Sequence, residues 1–474
     1  MKKIVLSLFL FTSLFSTVSC DKDFEEVNTD PNNPTKVPAH LMLGNIARVN
    51  QNAIYDMFVG GDMGMCWAQH VSKIQYNDEE RYIPRQGSID GLWEALYATC
   101  LFDAQSMYSL AEAEGNKSLQ GIALVMQANS FQILTDVYGP IMFTQFNTGV
   151  FQPAYDSEDV VYNGINTMLK NAETLLAANV GTLPATSDPV YGGDVAKWRK
   201  FANSLRLKVL MRMSSKVNVA AEVAALAASG QLMTSNADSA QLAYKAAQPD
   251  ANPIYETVSF GNRLEYKISS VLVSKLNSLS DPRLNIYGTP ISGTVVGNVP
   301  GVENAGAVNS ISGLGSFYLN PTLPGVFLSY AQVEFLLAEA ANSGLIAGGP
   351  TTALVHYNKA ITANMNFNGI TNAAAIASYL AQPTVAFSTQ VDGKQKIAEQ
   401  TWLALFGQGL EAWTEWRRTG FPALSPVFDA NTTSIPKRFF YASDEISKNS
   451  ANFNAAVAML NGGDELTSPV WWME

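Results

Sequence analysis

The chain has 474 residues, with 30 Lys plus Arg, 41 Asp plus Glu and a formal net charge of −11. Hydrophobic residues make up 47 % and charged residues 15 %, so there is ample apolar material to bury and a disordered chain is excluded. The acidic balance, with no basic cluster, excludes a nucleic-acid binder, because phosphate backbones are held by clustered Lys and Arg.

Residues 1–19 read as a signal peptide. Lys2 and Lys3 precede an apolar stretch, Ile4 to Phe15, that is too short to span a bilayer. It ends Ser16-Thr17-Val18-Ser19-Cys20. Small residues before a Cys form the pattern of a lipoprotein signal, in which Cys20 is acylated. Residues 20–38 are acidic, rich in Asn and Pro and without periodicity, as in a tether. The body is expected at residues 39–474.

From Ala39 the pattern is helical. Helices are expected at 41–58, 92–114, 119–137, 159–178 and 194–214. In the last of these, Trp198, Phe201, Ala202, Leu205 and Val209 recur at helical spacing. Leu207, Leu210 and Met211 cover another side, so this helix packs on more than one face. A helical hairpin is expected over Gly325 to Met365. Phe327–Ala341 is its first helix, and Gly344, Gly348 and Gly349 break it. Pro350 restarts helicity at a first-turn position. The second helix carries Ala353, Tyr357 and Ala360, a small–aromatic spacing of tetratricopeptide type. A last helix is expected over Gln395 to Arg418. Between Asp281 and Gly325 there are eight Gly and five Pro, which rules out a long helix. Such an irregular excursion inside a compact protein is usually functional. Short strands are expected there at 294–296 and 316–319. Residues 423–452 are also loop-rich.

Catalytic motifs are scarce. His40, His70 and His356 are far apart in sequence, and no HExxH, GxSxG, P-loop or GxGxxG occurs. The visible carboxylate pairs are Glu79-Glu80 and Glu411/Glu415. The second pair lies one turn apart and is expected to pair with Arg417 or Arg418. Cys66 and Cys100 are too few for a disulfide framework and read as buried thiols. No cofactor and no metal set is expected.

The aromatic residues carry more information. A sugar ring is held by stacking on a flat aromatic side chain and by planar hydrogen-bonding groups. The stretch from Met65 to Trp93 has that composition, with Trp67, Gln69, His70, Tyr76, Asn77, Arg81, Tyr82 and Arg85; the alternative is a polar loop between two helices, with Trp67 and Trp93 in the core.

Several phrases then point to a family. They are CDKDFEEVNTDPNNPT, WAQHVSKIQYNDEERY, TDVYGPIMFTQ, WRKFANSLRLKVLMRM, LSDPRL, FLSYAQVEFLLAEAA, EAWTEWRRTGFPAL and IPKRFFYASDEISKNSANFNAA. In number and order the chain resembles the SusD/RagB-type nutrient-binding outer-membrane lipoproteins of Bacteroidota. The resemblance implies a mainly α fold: a right-handed scaffold of tetratricopeptide-like helical hairpins with an irregular, loop-rich ligand-binding lobe. It implies a partner barrel, a TonB-dependent transporter of the SusC type, and an oligosaccharide or other small nutrient as ligand. The acidic residues after Cys20 are similar to surface-export signals of such lipoproteins. Asp238-Ser239-Ala240 matches the short O-glycosylation pattern of these bacteria.

The expected site has Trp67, Tyr76, Asn77, Arg81 and Tyr82 on one side. Arg263, Tyr287 and Tyr318 line the other, and no residue is catalytic. An all-helical glycoside hydrolase or lyase, and a protein-interaction scaffold without a small ligand, are the alternatives.

Overall fold

A computed structural model describes residues 37–304 and 306–473. The expected signal peptide, Cys20 and nearly all of the tether lie outside the described residues.

The chain is mainly helical. The first helix, α1 (Leu43–Tyr55), leads into a π-helical stretch, Met57–Met65. Then α2 (Gln86–Glu94) runs through a second π-helical stretch, Ala95–Leu101, into α3 (Phe102–Ala113). It begins earlier than its apolar pattern suggests, because the polar first turn after Arg85 is already helical. Helices α4 (Lys117–Tyr138), α5 (Glu158–Ala178) and α6 (Val195–Met213) follow, each packed on the one before. The starts of α4 and α6 are fixed by side-chain caps. The Asn116 amide oxygen accepts from Leu119 N–H at 3.0 Å, and Asp194 accepts from Lys197 N–H at 3.1 Å. Helix α6 buries Trp198, Phe201 and Leu205 as well as Leu207, Leu210 and Met211, as its two-sided pattern requires. A short α7 (Ala220–Ala228) closes this part.

The second half repeats the device. Helix α8 (Ser270–Ser278) and the single turn α9 (Leu284–Tyr287) precede the hairpin of α10 (Tyr330–Asn342) and α11 (Gly349–Phe367). Ala353, Tyr357 and Ala360 are fully buried in that hairpin. Helices α12 (Ala373–Leu380), α13 (Gln390–Ala404), α14 (Gly409–Thr419), α15 (Ser443–Lys448) and α16 (Ser450–Met459) complete the chain. One continuous core extends from Ala39 to Trp472.

Three expectations are corrected. The helix expected over Gln395 to Arg418 is two helices. Gly407 has φ +85°, a left-handed conformation that ends α13. A Cβ on Gly409 would collide with the Gly60 carbonyl oxygen, so α14 starts where the π-helical stretch presses against it. The helix expected from Phe327 begins instead at Tyr330. Gly325–Leu328 is a strand, β4, paired with β2 (Ala240–Leu242). Its Val-Phe-Leu run suits a buried strand, and the Ser329 hydroxyl caps the helix that follows, accepting from Gln332 N–H at 3.1 Å. Finally, 294–296 and 316–319 are not strands. Thr294 makes one isolated bridge to Ile291, and Tyr318 N–H closes a turn on Gly315 O at 3.0 Å.

The excursion is pinned to the scaffold by Arg283, which is fully buried. Its guanidinium donates to Asp281 Oδ1 and Oδ2 (2.9 and 2.6 Å), to Asn364 Oδ1 on α11 (2.8 Å) and to Gln400 Oε1 on α13 (2.7 Å). Cys66 and Cys100 are free and buried. Ser239 is buried too, and its Oγ accepts from Tyr330 N–H at 2.9 Å. The Asp238-Ser239-Ala240 pattern therefore presents no accessible hydroxyl.

Candidate functional site

Two strands of three residues build the candidate site. Val71–Lys73 (β1) pairs antiparallel with Tyr266–Ile268 (β3), with Val71 opposite Ile268 and Lys73 opposite Tyr266. All six residues are buried. Ile74 N–H donates to Glu265 O at 3.1 Å, which carries the pairing one step beyond the ribbon. Continuing that register sets Tyr76 opposite Arg263. The Arg263 guanidinium carbon is in fact 5.8 Å from the Tyr76 ring centroid and 5.4 Å from that of Phe58. The Arg85 guanidinium lies over the same Phe58 ring, at 5.3 Å. Two cations and two rings thus form one surface cluster.

Carboxylates fix both arginines. Glu265 holds Arg263 Nε at 2.5 Å and Glu79 holds Arg85 Nη2 at 2.7 Å. Beneath them Lys73 Nζ is buried, 2.9 Å from Asp62 and 3.5 Å from Glu79, and Tyr266 O–H donates to Asp62 at 2.7 Å. Glu80 is also buried and accepts from Lys73 N–H at 2.9 Å. Burial pushes its carboxyl up to about 7 and raises that of Asp62.

Tyr76 is 66 % exposed and has φ +54°. Asn262, beside Arg263, has φ +52°. A bulky residue held left-handed while exposed gains nothing from packing that would offset the strain. Between these two turns lies a cleft of about 580 Å³, lined by Tyr76, Arg85, Asn262, Arg263, Leu264 and Val308 among others. It combines an exposed ring, planar donors and two apolar edges.

The eight expected ligand residues separate into three groups. Tyr76 and Arg263 meet in the cleft. Arg81 is half-buried and does not line the cleft; it donates to Gly301 O at 2.8 Å and faces Asp429 at 3.4 Å. Trp67, Asn77, Tyr82, Tyr287 and Tyr318 are buried, and their polar atoms bond inside the chain except Asn77 Oδ1, which is buried without a partner. Trp67 Nε1–H donates to Glu79 O (2.8 Å), Asn77 to Gly301 O (3.0 Å) and Tyr287 O–H to Leu403 O (2.9 Å). Tyr318 O–H donates to Asn368 (2.8 Å), and the Tyr82 hydroxyl accepts from Val427 N–H (3.0 Å). The Tyr287 ring stacks on Phe406 at 4.3 Å. The four rings offer no free face to a solute, because the apolar body of each packs in the core. Phe58 was missed as a site residue, while Arg85, named in the 65–93 stretch, and Asn262, the donor beside Arg263, join the cleft in addition to the eight expected residues. The sequence carried one usable signal, the pairing of the 71–76 and 263–268 segments, but a three-residue ribbon leaves almost no periodicity to read.

The Glu411/Glu415 pair is tied up in ion pairs. Lys208 and Arg212 hold Glu411 (2.7 and 3.3 Å), and Arg212 and Arg418 hold Glu415 (both 2.8 Å). Arg418 is the expected partner. Arg417 instead lies 3.7 Å over the Trp413 ring. Among the described residues no group of three or more His, Cys, Asp or Glu side chains is placed to hold a metal ion.

The sequence profile of the SusD-like family, described as "Starch-binding associating with outer membrane", matches residues 31–442. The chain belongs to the SusD-like family. Solved structures agree with this placement. A protein named as chitin-binding is 27 % identical, with a TM-score of 0.79 over 92 % of this chain and 99 % of its own. A SusD homologue from Bacteroides fragilis is 26 % identical, with a TM-score of 0.78 over 93 % and 100 %. The fold is shared as well by a chitin-binding SusD homologue from Flavobacterium johnsoniae, at 23 % identity and a TM-score of 0.78 over 91 % and 98 %. No curated protein sequence matches the chain. The SusD-like family is associated with the outer membrane, and no helix among the described residues is long and apolar enough to cross a membrane.

Proposed function

We propose that this chain is a non-enzymatic nutrient-binding protein that takes an oligosaccharide in the cleft between Tyr76 and Arg263 and passes it to a TonB-dependent transporter barrel of the SusC type. In this reading Cys20 carries the lipid anchor, residues 20–38 are the tether, and residues 39–474 are the body exposed at the cell surface. The observation that carries it is Tyr76 itself: an exposed ring in a strained conformation, braced by Arg263, at the mouth of a polar cleft. Membership of a family described as starch-binding supports a glycan ligand, and a relative named as chitin-binding puts N-acetylated sugars first in the panel. The leucine and valine edges of the cleft, Leu264 and Val308, suit an acetyl methyl group, and Asn262 and Gln75 suit its amide. Ion pairing of Glu411 and Glu415 weighs against glycosidase chemistry, which needs one free acid and one free carboxylate.

Shallow glycan sites bind weakly, because association entropy offsets much of the contact energy. That suits a protein that must release its ligand. Titration calorimetry against chitooligosaccharides, maltooligosaccharides and xylooligosaccharides, with chromatography of each mixture, tests this reading. Binding without products is expected. Cleavage products would replace it with a hydrolase, and silence with co-purification of a barrel would leave a scaffold.

A further inference from the structure

We infer that the helical scaffold carries a second saccharide site, in the groove between α11 and the turn at residues 234–236. It rests on the carbohydrate reading above but on none of the residues of the Tyr76 cleft. The groove encloses about 430 Å³. Asn358, Thr362 and Asn366 line one wall at successive turns of α11, so they form one polar stripe along the helix. Thr234 and Asn236 form the opposite wall, and Tyr330, half-buried at the start of α10, lies between them. Lys359 is the one charged side chain in the lining.

The hydrogen bonding of this groove is directional. Thr362 O–H already donates to Asn358 O at 2.7 Å, and Thr234 O–H to Asp238 Oδ2 at 2.8 Å. Asn236 Nδ2 donates to Ala363 O at 2.8 Å. The two hydroxyls therefore spend their protons inward; Thr362 keeps its acceptor oxygen for a ligand, whereas Thr234 Oγ1 already accepts from Lys200 Nζ at 3.2 Å, and Asn236 keeps its amide oxygen and its second N–H. A further acceptor is Asn358 Oδ1, which is buried and has no partner. A buried, unpaired amide oxygen costs free energy, which a ligand donor recovers once the Asn358 side chain turns to face the groove. The groove thus presents both acceptors and the N–H donors of Asn358, Asn366 and Lys359, and a neutral sugar, whose hydroxyls donate and accept, matches both while its C–H face meets Tyr330. A cationic amine would meet Lys359 instead, and an apolar ligand would leave Asn358 unsatisfied.

A second site changes how a long glycan is held. Once one segment is bound at either site, the next binds as an intramolecular partner if the chain spans the two. Long oligomers would then be retained while short ones are released.

The test uses chitohexaose, maltoheptaose, xylohexaose and mannohexaose, each carrying a diazirine at its reducing end. After photolysis, cross-links are mapped by mass spectrometry, with and without excess unlabelled sugar. The expected result is two competed clusters, one in residues 74–85 and 261–265 and one in 234–236 and 358–366. Asn358→Ala with Asn366→Ala should remove the second cluster by about tenfold and leave the first, and Tyr76→Ala should do the reverse. The wild-type map decides even if the double variant misfolds. Cross-links confined to 74–85 and 261–265 would overturn the second site and leave the proposed function standing. Cross-links competed at neither place would overturn both.

Discussion

Arg263 stands across the end of a three-residue ribbon from Tyr76, its guanidinium carbon 5.8 Å from the ring centroid. The register of β1 and β3 puts them there, and Glu265 keeps the guanidinium from turning away. An aromatic platform on a surface loop is useful only if it is held still. Here the arginine does so from beneath, between the rings of Phe58 and Tyr76.

The charges under the cleft are matched: Lys73 with Asp62 and Glu79, Arg85 with Glu79, and Arg263 with Glu265. A neutral saccharide bound there should feel little ionic screening. Raising salt from about 0.05 to about 0.5 M, which shortens the Debye length severalfold, is expected to leave the dissociation constant within about twofold. A tenfold weakening, measured by calorimetry, would indicate an anionic ligand.

The buried tyrosines should report on stability and not on affinity. Tyr287→Ala removes a ring stacked on Phe406 and a hydroxyl bonded to Leu403 O. A loss of about 3–5 kcal/mol is expected in denaturant unfolding. The affinity of the remaining folded protein for saccharide should be unchanged.

Two buried carboxyls predict a pH dependence. Burial pushes Glu80 up to about 7 and Glu158 up to about 8, from an ordinary 4.5. The folded protein then holds these protons more tightly than the unfolded chain does. The stability they contribute is complete below about pH 4.5 and is lost as pH rises through 7 and 8. For Glu80 the change is of the order of 3 kcal/mol. Chemical denaturation between pH 5 and 9 should show stability falling, and Glu80→Gln should flatten the part below pH 7. An unchanged slope in that variant would refute the assignment.

Arg283→Met should loosen the excursion from the scaffold. It removes the counter-charge of Asp281 and the bonds to Asn364 and Gln400. Breaking one partner of a buried pair costs about 3–5 kcal/mol. Hydrogen exchange should accelerate first in residues 281–325, ahead of the α10–α11 hairpin.

Much of the scaffold was legible because its helices are long and two-sided. The α6 pattern from Trp198 to Val209 and the Ala353–Tyr357–Ala360 spacing both lie in helix interfaces, as their periodicity required. The split between α13 and α14 was not legible. It depends on Gly60 and Gly409 meeting across some 350 positions of sequence, and local pattern carries no trace of that. The site was read at the level of its segment, 65–93, but not of its side chains. Aromatic residues that bind and those that pack are the same residue types. Only burial separates Tyr76 from Tyr82, six positions later, at 1 % exposure. Arg85 and Phe58 entered the site through contacts between distant segments, which no spacing encodes.

The most direct test is a parallel titration of the wild-type protein and Tyr76→Ala with whichever saccharide the wild type binds. A stacking aromatic contributes about 1 kcal/mol, so the variant is expected to bind roughly fivefold more weakly or worse, with an unchanged unfolding midpoint. Equal affinities in the two proteins would contradict the placement of the ligand at the Tyr76–Arg263 cleft.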